Sequence, residues 1–277
     1  MAGHIEEHLD TTLREVIPIV QDEVTQRTTW FGVRALKNPL DAWVYQEILH
    51  ETRPDVVVEI GTMFGGSTLY LAHLLDLMDH GRIISMDLSH AQVPDVVKRH
   101  PRITFVEGDA FANFAAVEKI IGKEERVLVI EDSSHTCDNT LALLRLYSTL
   151  VKPGDYFIVE DSICHHGLDQ GPKPGPWEAL ETFAAENPDF ETDRTRERFL
   201  LTWNPKGYLR RTKLTVTTDP SRCPPPPAPE PEPTPPPPDP TPFPAPEPLR
   251  PSPFRETVKL FLPPIVLKLY RKVRPHR

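Results

Sequence analysis

The chain has 277 residues, 33 of them proline, and a formal net charge of -9 from 31 basic and 40 acidic side chains. That balance excludes nucleic acid as the principal partner, because phosphate binding needs a basic footprint. No apolar run reaches the length of a bilayer span, and Met1 to His8 has neither the basic nor the apolar region of a secretory signal. Cys137, Cys164 and Cys223 are scattered without metal or redox spacing, which fits a reducing, cytoplasmic setting.

Ile5, Leu9, Leu13, Val16, Ile17 and Val20 recur at helical spacing among acids and predict an amphipathic helix over residues 5–26, a face available for an oligomer interface. A second helix is expected over Pro39–Glu51, capped by Asn38, with Trp43, Val44, Ile48 and Leu49 on its apolar side. The pattern then changes. Short β-branched runs predict strands at 55–60, 82–87, 103–106, 126–131 and 155–160, separated by helical stretches such as 67–75 and 138–150. After a helix over 176–187, the runs 198–203 and 207–211, joined around Asn204-Pro-Lys-Gly207, read as an antiparallel hairpin at the sheet edge. Strands alternating with helices mean a doubly wound α/β fold whose seven strands are mostly parallel.

More than half of the prolines fall between Pro220 and Pro253, where missing backbone donors exclude helix and sheet. The expected organisation is an N-terminal helical region (1–53), a ligand-binding α/β domain (54–218), a disordered Pro-rich linker (219–253) and a basic amphipathic segment (254–277). From Arg250 onward eight Lys or Arg accompany the single Glu256, and Leu260, Phe261, Ile265, Leu267 and Tyr270 lie among them. Peripheral attachment to an anionic membrane and docking on a protein partner are equally compatible with that composition.

Chemistry concentrates at strand ends, where open α/β sheets bind ligands. Between the first strand and its helix lies Glu59-Ile-Gly-Thr-Met-Phe-Gly-Gly-Ser67, whose glycines allow a tight turn and whose helix offers free N–H groups to an anionic end. Met63 stands where the dinucleotide fingerprint needs glycine, and no Lys-Ser or Lys-Thr makes a P-loop. Asp87 ends the second strand, where an acid takes a ribose hydroxyl pair. Asp109, in Glu107-Gly-Asp-Ala110, is placed either to meet an adenine amino group or to serve as an acidic turn residue. The fourth and fifth strands end in Glu131-Asp-Ser-Ser-His135 and Val159-Glu-Asp161. Asp132, Glu160 and Asp161 could converge as an all-oxygen pocket suited to Mg²⁺, with His135 beside it as a base.

This order of motifs resembles class I S-adenosylmethionine-dependent methyltransferases. More narrowly, Thr29-Trp-Phe-Gly32, Lys37-Asn-Pro-Leu-Asp41, Pro54-Asp-Val-Val-Val-Glu-Ile-Gly61, Gly65-Gly-Ser67 and Val159-Glu-Asp161 are similar to the cephalosporin hydroxylase / rhamnosyl O-methyltransferase family, over roughly residues 25–212. The resemblance implies a Rossmann-like methyltransferase sheet and an O-methyltransferase that uses S-adenosylmethionine and Mg²⁺. Its acceptor would be a sugar or glycosylated metabolite, as in a natural product, glycolipid or polysaccharide. It implies Glu59, Gly61, Thr62, Gly65, Ser67, Asp87, Asp109 and Asp132 around the cofactor, Asp132, Glu160 and Asp161 on the metal, and His135 as base. Where some members carry a second acid this chain has Ser134, so two alternatives accompany that expectation. One is a cofactor-binding scaffold with a degraded metal site; the other is a hydroxylase component.

Overall fold

The computed structural model describes residues 4–214; the expected linker 219–253, the basic segment 254–277 and Cys223 lie outside the described residues. The main-sheet strands are β1 (Val56–Ile60), β2 (Arg82–Asp87), β3 (Ile103–Glu107), β4 (Val127–Glu131), β5 (Tyr156–Val159), β6 (Phe190–Thr192) and β7 (Tyr208–Arg211). The helices are α1 (Leu13–Glu23), α2 (Pro39–Thr52), α3 (Gly66–Met78), α4 (Asp95–Lys98), α5 (Ala110–Ile120), α6 (Cys137–Tyr147) and α7 (Pro176–Glu186). A two-stranded ribbon, Thr29–Trp30 against Val33–Arg34, precedes α2.

The sheet runs β3-β2-β1-β4-β5-β7-β6, parallel from β3 to β5 and antiparallel across β7 and β6. Alternation of side chains along β1 divides its apolar residues between two faces. Val57 packs with Ile48 and Leu49 of α2 and Leu71 and Leu75 of α3. Val56 and Val58 pack on the other face with Val117 of α5, Leu143 and Leu144 of α6 and Phe183 of α7. A sheet covered on both faces explains why its strands are continuous apolar runs.

Three details depart from the sequence reading. The N-terminal helix is shorter than 5–26: α1 begins at Leu13, and Ile5, Leu9 and Leu13 are exposed while Ile17 packs inward. Trp43, expected on the apolar side of α2, is 60% exposed, although Val44, Ile48 and Leu49 are buried as expected. The run 198–203 is not a strand. β7 pairs instead with β5 and with the short β6, because the 198–203 segment is held by side chains of the N-terminal part: Asp41 accepts from Trp203 N (2.8 Å) and from Thr202 Oγ1. Asn38 caps α2 as expected, accepting from Leu40 N at 3.2 Å.

Register aligns the strand ends. Ile60 lies opposite both Met86 and Glu131, and Glu131 lies opposite Val159. The backbone ladder continues one step further, with Gly61 N on Met86 O, Asp132 N on Ile60 O and Glu160 N on Glu131 O, all at 2.8–2.9 Å. Gly61, Asp87, Asp132 and Glu160 are thereby set along one edge. Between β1 and β4 the strand order reverses, which is the switch point where such sheets open a crevice.

Candidate active site

The turn after β1 is internally complete. Glu59 is buried, and its Oε2 accepts from Thr68 Oγ1 and Ser85 Oγ at 2.5 and 2.6 Å. Burial pushes its carboxyl above the usual range, and those two hydroxyls pull it back down only in part. Thr62 Oγ1 shares a 2.6 Å hydrogen bond with Ser85 and lies 3.2 Å from His90 Nε2. Asp87 Oδ2 accepts from the backbone N–H groups of Thr62 and Met63 (3.0 and 2.7 Å), while its Oδ1 has only a 3.4 Å contact from Ser89 N. Gly65, at φ 78°, is the N-cap of α3, and Ser67 is buried in its first turn. Asp109 is a helix cap: its Oδ1 accepts from Ala112 N at 2.9 Å, which realises the turn-residue alternative for that oxygen.

Two glycines bind this turn to its surroundings. A Cβ at Gly61 would stand 1.9 Å from Asp132 O, and one at Gly66 would stand 2.1 Å from Arg34 O. The first contact joins the turn to the end of β4. The second seats the N-terminus of α3 on the ribbon that leads to Lys37.

The acidic pocket is built differently. His135 Nε2 lies 3.7 Å from Asp132 Oδ1 and 3.6 Å from Asp161 Oδ2, and ligand atoms of these three residues all lie within 4.8 Å of one another. His135 and Asp161 both adopt positive φ (57° and 55°), uncommon outside glycine and concentrated at functional sites. Burial alone would lower the His135 pKa, but the facing carboxylates of Asp161, Asp132 and Glu131 outweigh it and raise the pKa above the ordinary imidazole value. Asp161 is raised by burial, with His135 opposing. Glu131 turns away from Asp132, as strand alternation requires, and accepts from Ser133 and Thr140. Ser134 lies outside the acid cluster and shares a hydrogen bond with Thr136 at 3.2 Å.

Glu160 and Asp132 share a partner that the sequence reading quoted but gave no chemistry: Lys37 Nζ donates to Asp132 Oδ2 and Glu160 Oε2. Burial opposes its charge, yet the two carboxylates outweigh burial and Lys37 is held firmly as an ammonium. The other Glu160 oxygen, Oε1, is buried and makes no close hydrogen bond among the described residues, with the Tyr45 hydroxyl as the neighbouring donor to this carboxylate. Burial and the Asp132 charge raise the Glu160 pKa well above the usual carboxylate range, against the pull of Lys37. Hard carboxylate oxygens, one of them without a close hydrogen bond, fit a small dication.

Two supports fix the pocket from outside. Asp161 N donates to Asn204 Oδ1 at 3.2 Å, and Asn204 Nδ2 reaches Tyr45 OH at 3.0 Å. Thr28 Oγ1 accepts from Lys37 N (2.8 Å) and donates to Lys37 O (3.0 Å), clamping the lysine's backbone. His165 and His166 lie in the loop between β5 and α7 and make contacts within it and with α7: His165 Nε2 contacts Gly171 O, and His166 stacks on Trp177 at 4.2 Å and meets Glu178.

The sequence profile of the Rhamnosyl O-methyltransferase/CmcI family matches residues 22–212, from the end of α1 through β7. The chain belongs to this family. Rhamnosyl O-methyltransferases of Mycobacterium tuberculosis and Mycobacterium bovis are each 36% identical over 195 residues, covering 68% of this chain and 80% of theirs. That of Mycobacterium leprae is 37% identical, covering 68% and 85%. Among solved structures, a CmcI Mg-SAM structure matches with a TM-score of 0.54 at 28% identity, over 68% of this chain and 78% of that one. An apo structure of CmcI gives 0.53 at the same identity and coverage. The Rhamnosyl O-methyltransferase/CmcI match takes in Lys37, the Gly65-Gly-Ser67 turn and both acid-ended strands. Lys37 was findable in principle, since it opens Lys37-Asn-Pro-Leu-Asp41, but that motif precedes the sheet and carries no spacing that points to β4 and β5.

Proposed function

We propose that this protein is a Mg²⁺-dependent, S-adenosylmethionine-dependent O-methyltransferase whose acceptor is a hydroxyl of a sugar or glycosylated metabolite. The observation that carries the reading is the convergence of Asp132, His135 and Asp161 at the ends of β4 and β5, one ladder step from the Gly61 turn. The named activity of the mycobacterial relatives and the Mg-SAM form of CmcI support the same reaction.

In this reading Glu59, Gly61, Thr62, Gly65, Ser67, Asp87 and Asp109 form the cofactor side, and Asp132 borders both halves. Glu59 holds the turn rigid through Thr68 and Ser85, and Asp87 fixes the backbone of Thr62 and Met63. Asp132, Glu160 and Asp161 would hold the metal. When bound, Mg²⁺ would supply charge to the carboxylates, orient two adjacent acceptor oxygens and acidify the hydroxyl. His135 would receive the hydroxyl proton at Nε2, the nitrogen that faces Asp132 and Asp161. The facing carboxylates raise the basicity of this ring, which suits it to accepting a proton. Among the described residues no helix is long and apolar enough to cross a membrane. The basic segment 254–277 has the composition of a contact for anionic lipid or for a protein partner; liposome co-sedimentation that is lost on truncation at Asp219 would decide for lipid, and equal, negligible binding by both chains would remove it.

The test is a methyl-transfer screen with labelled S-adenosylmethionine against sugar acceptors, repeated with Asp132→Ala and His135→Ala. Each variant should lose roughly 100-fold or more in kcat. Full activity in both would remove the mechanism.

A further inference from the structure

Two of the three carboxylates assigned to the metal are already bridged by a cation of the chain itself. Lys37 reaches Asp132 and Glu160 across 95 and 123 residues of sequence, and its backbone is clamped on both sides by Thr28. The arrangement is built rather than incidental: Gly66 packs on Arg34 O without room for a Cβ, Ala35 N donates to Thr28 O at 2.9 Å, and Leu36 takes a positive φ of 52° just before the lysine. These features point the segment into the crevice instead of along α2. In this arrangement Asp132 offers only Oδ1 away from the lysine, facing His135, and Glu160 only Oε1.

We propose that Lys37 is the pocket's resident cation and that metal binding proceeds by exchange with it. This inference rests on the assignment of Asp132, Glu160 and Asp161 as metal ligands. An ammonium and a dication cannot both hold the same oxygens of Asp132 and Glu160 at contact distance without strong repulsion. The metal-competent state is the fraction of molecules in which Lys37 has left those oxygens. Apparent metal affinity is reduced by that fraction, so the lysine sets how much Mg²⁺ the protein requires. Once displaced, the ammonium stays tethered beside the crevice by Thr28, available as a donor to an acceptor oxygen. In the absence of metal the same group keeps three carboxylates from facing one another with only His135 between them, and it thereby holds the ends of β4 and β5 together.

The experiment is calorimetric titration of the full chain with MgCl₂ at fixed pH, for wild type, Lys37→Met and Lys37→Arg. Thermal melts with and without metal and a separate S-adenosylmethionine titration accompany it. Lys37→Met removes the charge and keeps most of the length; it should bind Mg²⁺ roughly tenfold or more tightly. It should also melt lower than wild type without metal and show a larger upward shift on adding it. Lys37→Arg should stay close to wild type in Mg²⁺ affinity. Unchanged cofactor affinity in both variants reports an intact fold. Equal or weaker Mg²⁺ binding by Lys37→Met, with Asp132→Asn still abolishing it, would overturn the exchange and leave the metal assignment standing. If Mg²⁺ binding is undetectable in wild type and in every variant, the metal assignment and the exchange both fall.

Discussion

The two halves of the crevice solve opposite problems with the same residue type. On the cofactor side Glu59 and Asp87 each accept two short hydrogen bonds from fixed neighbours, Thr68 and Ser85 in one case and the Thr62 and Met63 N–H groups in the other. On the acidic side Asp132, Glu160 and Asp161 face one another across a lysine and an imidazole, one carboxylate oxygen lacks a close hydrogen bond, and two backbones sit at positive φ. A satisfied carboxylate stiffens a scaffold, whereas an unsatisfied one keeps affinity for something that must arrive. The fold therefore carries a finished cradle and an unfinished one, separated by a single ladder step.

The largest effect is expected where the halves meet. Gly61→Ala forces a Cβ against Asp132 O at φ 107°, and should cost roughly 3 kcal/mol in urea unfolding while weakening cofactor and Mg²⁺ binding together. Loss of only one of the two affinities would show that the halves are independent. The next contrast separates satisfied from unsatisfied acids. Glu59→Ala removes the shared acceptor of two buried hydroxyls and should lower stability by about 1–3 kcal/mol, whereas Asp161→Asn, whose carboxylate faces His135 at 3.6 Å, should leave the melting temperature nearly unchanged. Equal destabilisation by both would erase the distinction.

A smaller, pH-dependent signal comes from His135. Its folded pKa lies above the ordinary value of 6.5, so its contribution to stability is complete below that value and is lost as pH rises through the elevated one. Metal-free wild type should lose its stability advantage over His135→Gln across that interval in denaturation curves. The half-buried pair Arg82–Glu125 has the opposite sign: the guanidinium holds Glu125 down at about 2, so its effect is present above 4.5 and fades toward about 2. Smallest of all should be His166→Ala. Its ring rests on Trp177, and the change should stay within about 0.5 kcal/mol and leave kcat unaltered; a marked rise in KM would instead place this loop on the acceptor's path.

Much of this division was legible in sequence, and the limits of that legibility have physical causes. The acid-ended strands and the glycine turn were readable because a buried parallel strand is a continuous apolar run and its end is marked by the first polar residue. Register then placed Asp132 and Glu160 beside the turn with no further information. Asp109 illustrates an ambiguity local sequence cannot resolve, since an Asp before a helix is equally a cap and a ligand contact, and the cap uses one of its oxygens. The 198–203 run reads as a strand on β-branched and aromatic content, but Asp41 draws its backbone and side chains into another network. Lys37 stayed hidden for the same reason: its partners are set by tertiary packing more than ninety residues away.

Asp41 gathers Asn38, Thr202, Trp203 and Tyr208 around one buried carboxylate, with sequence separations reaching 167 residues. In terms of synthesis and folding, an emerging chain completes the glycine turn early but lacks the donors that Asp41 requires until β7 has left the ribosome. Long loops must close before those contacts repay their entropy, so the Asp41 network depends on the most distant closures in the domain. Until then Asp41 is an acid committed to burial with most of its donors still to come, and a chain interrupted before Tyr208 would lack both that donor and the strand that pairs with β5.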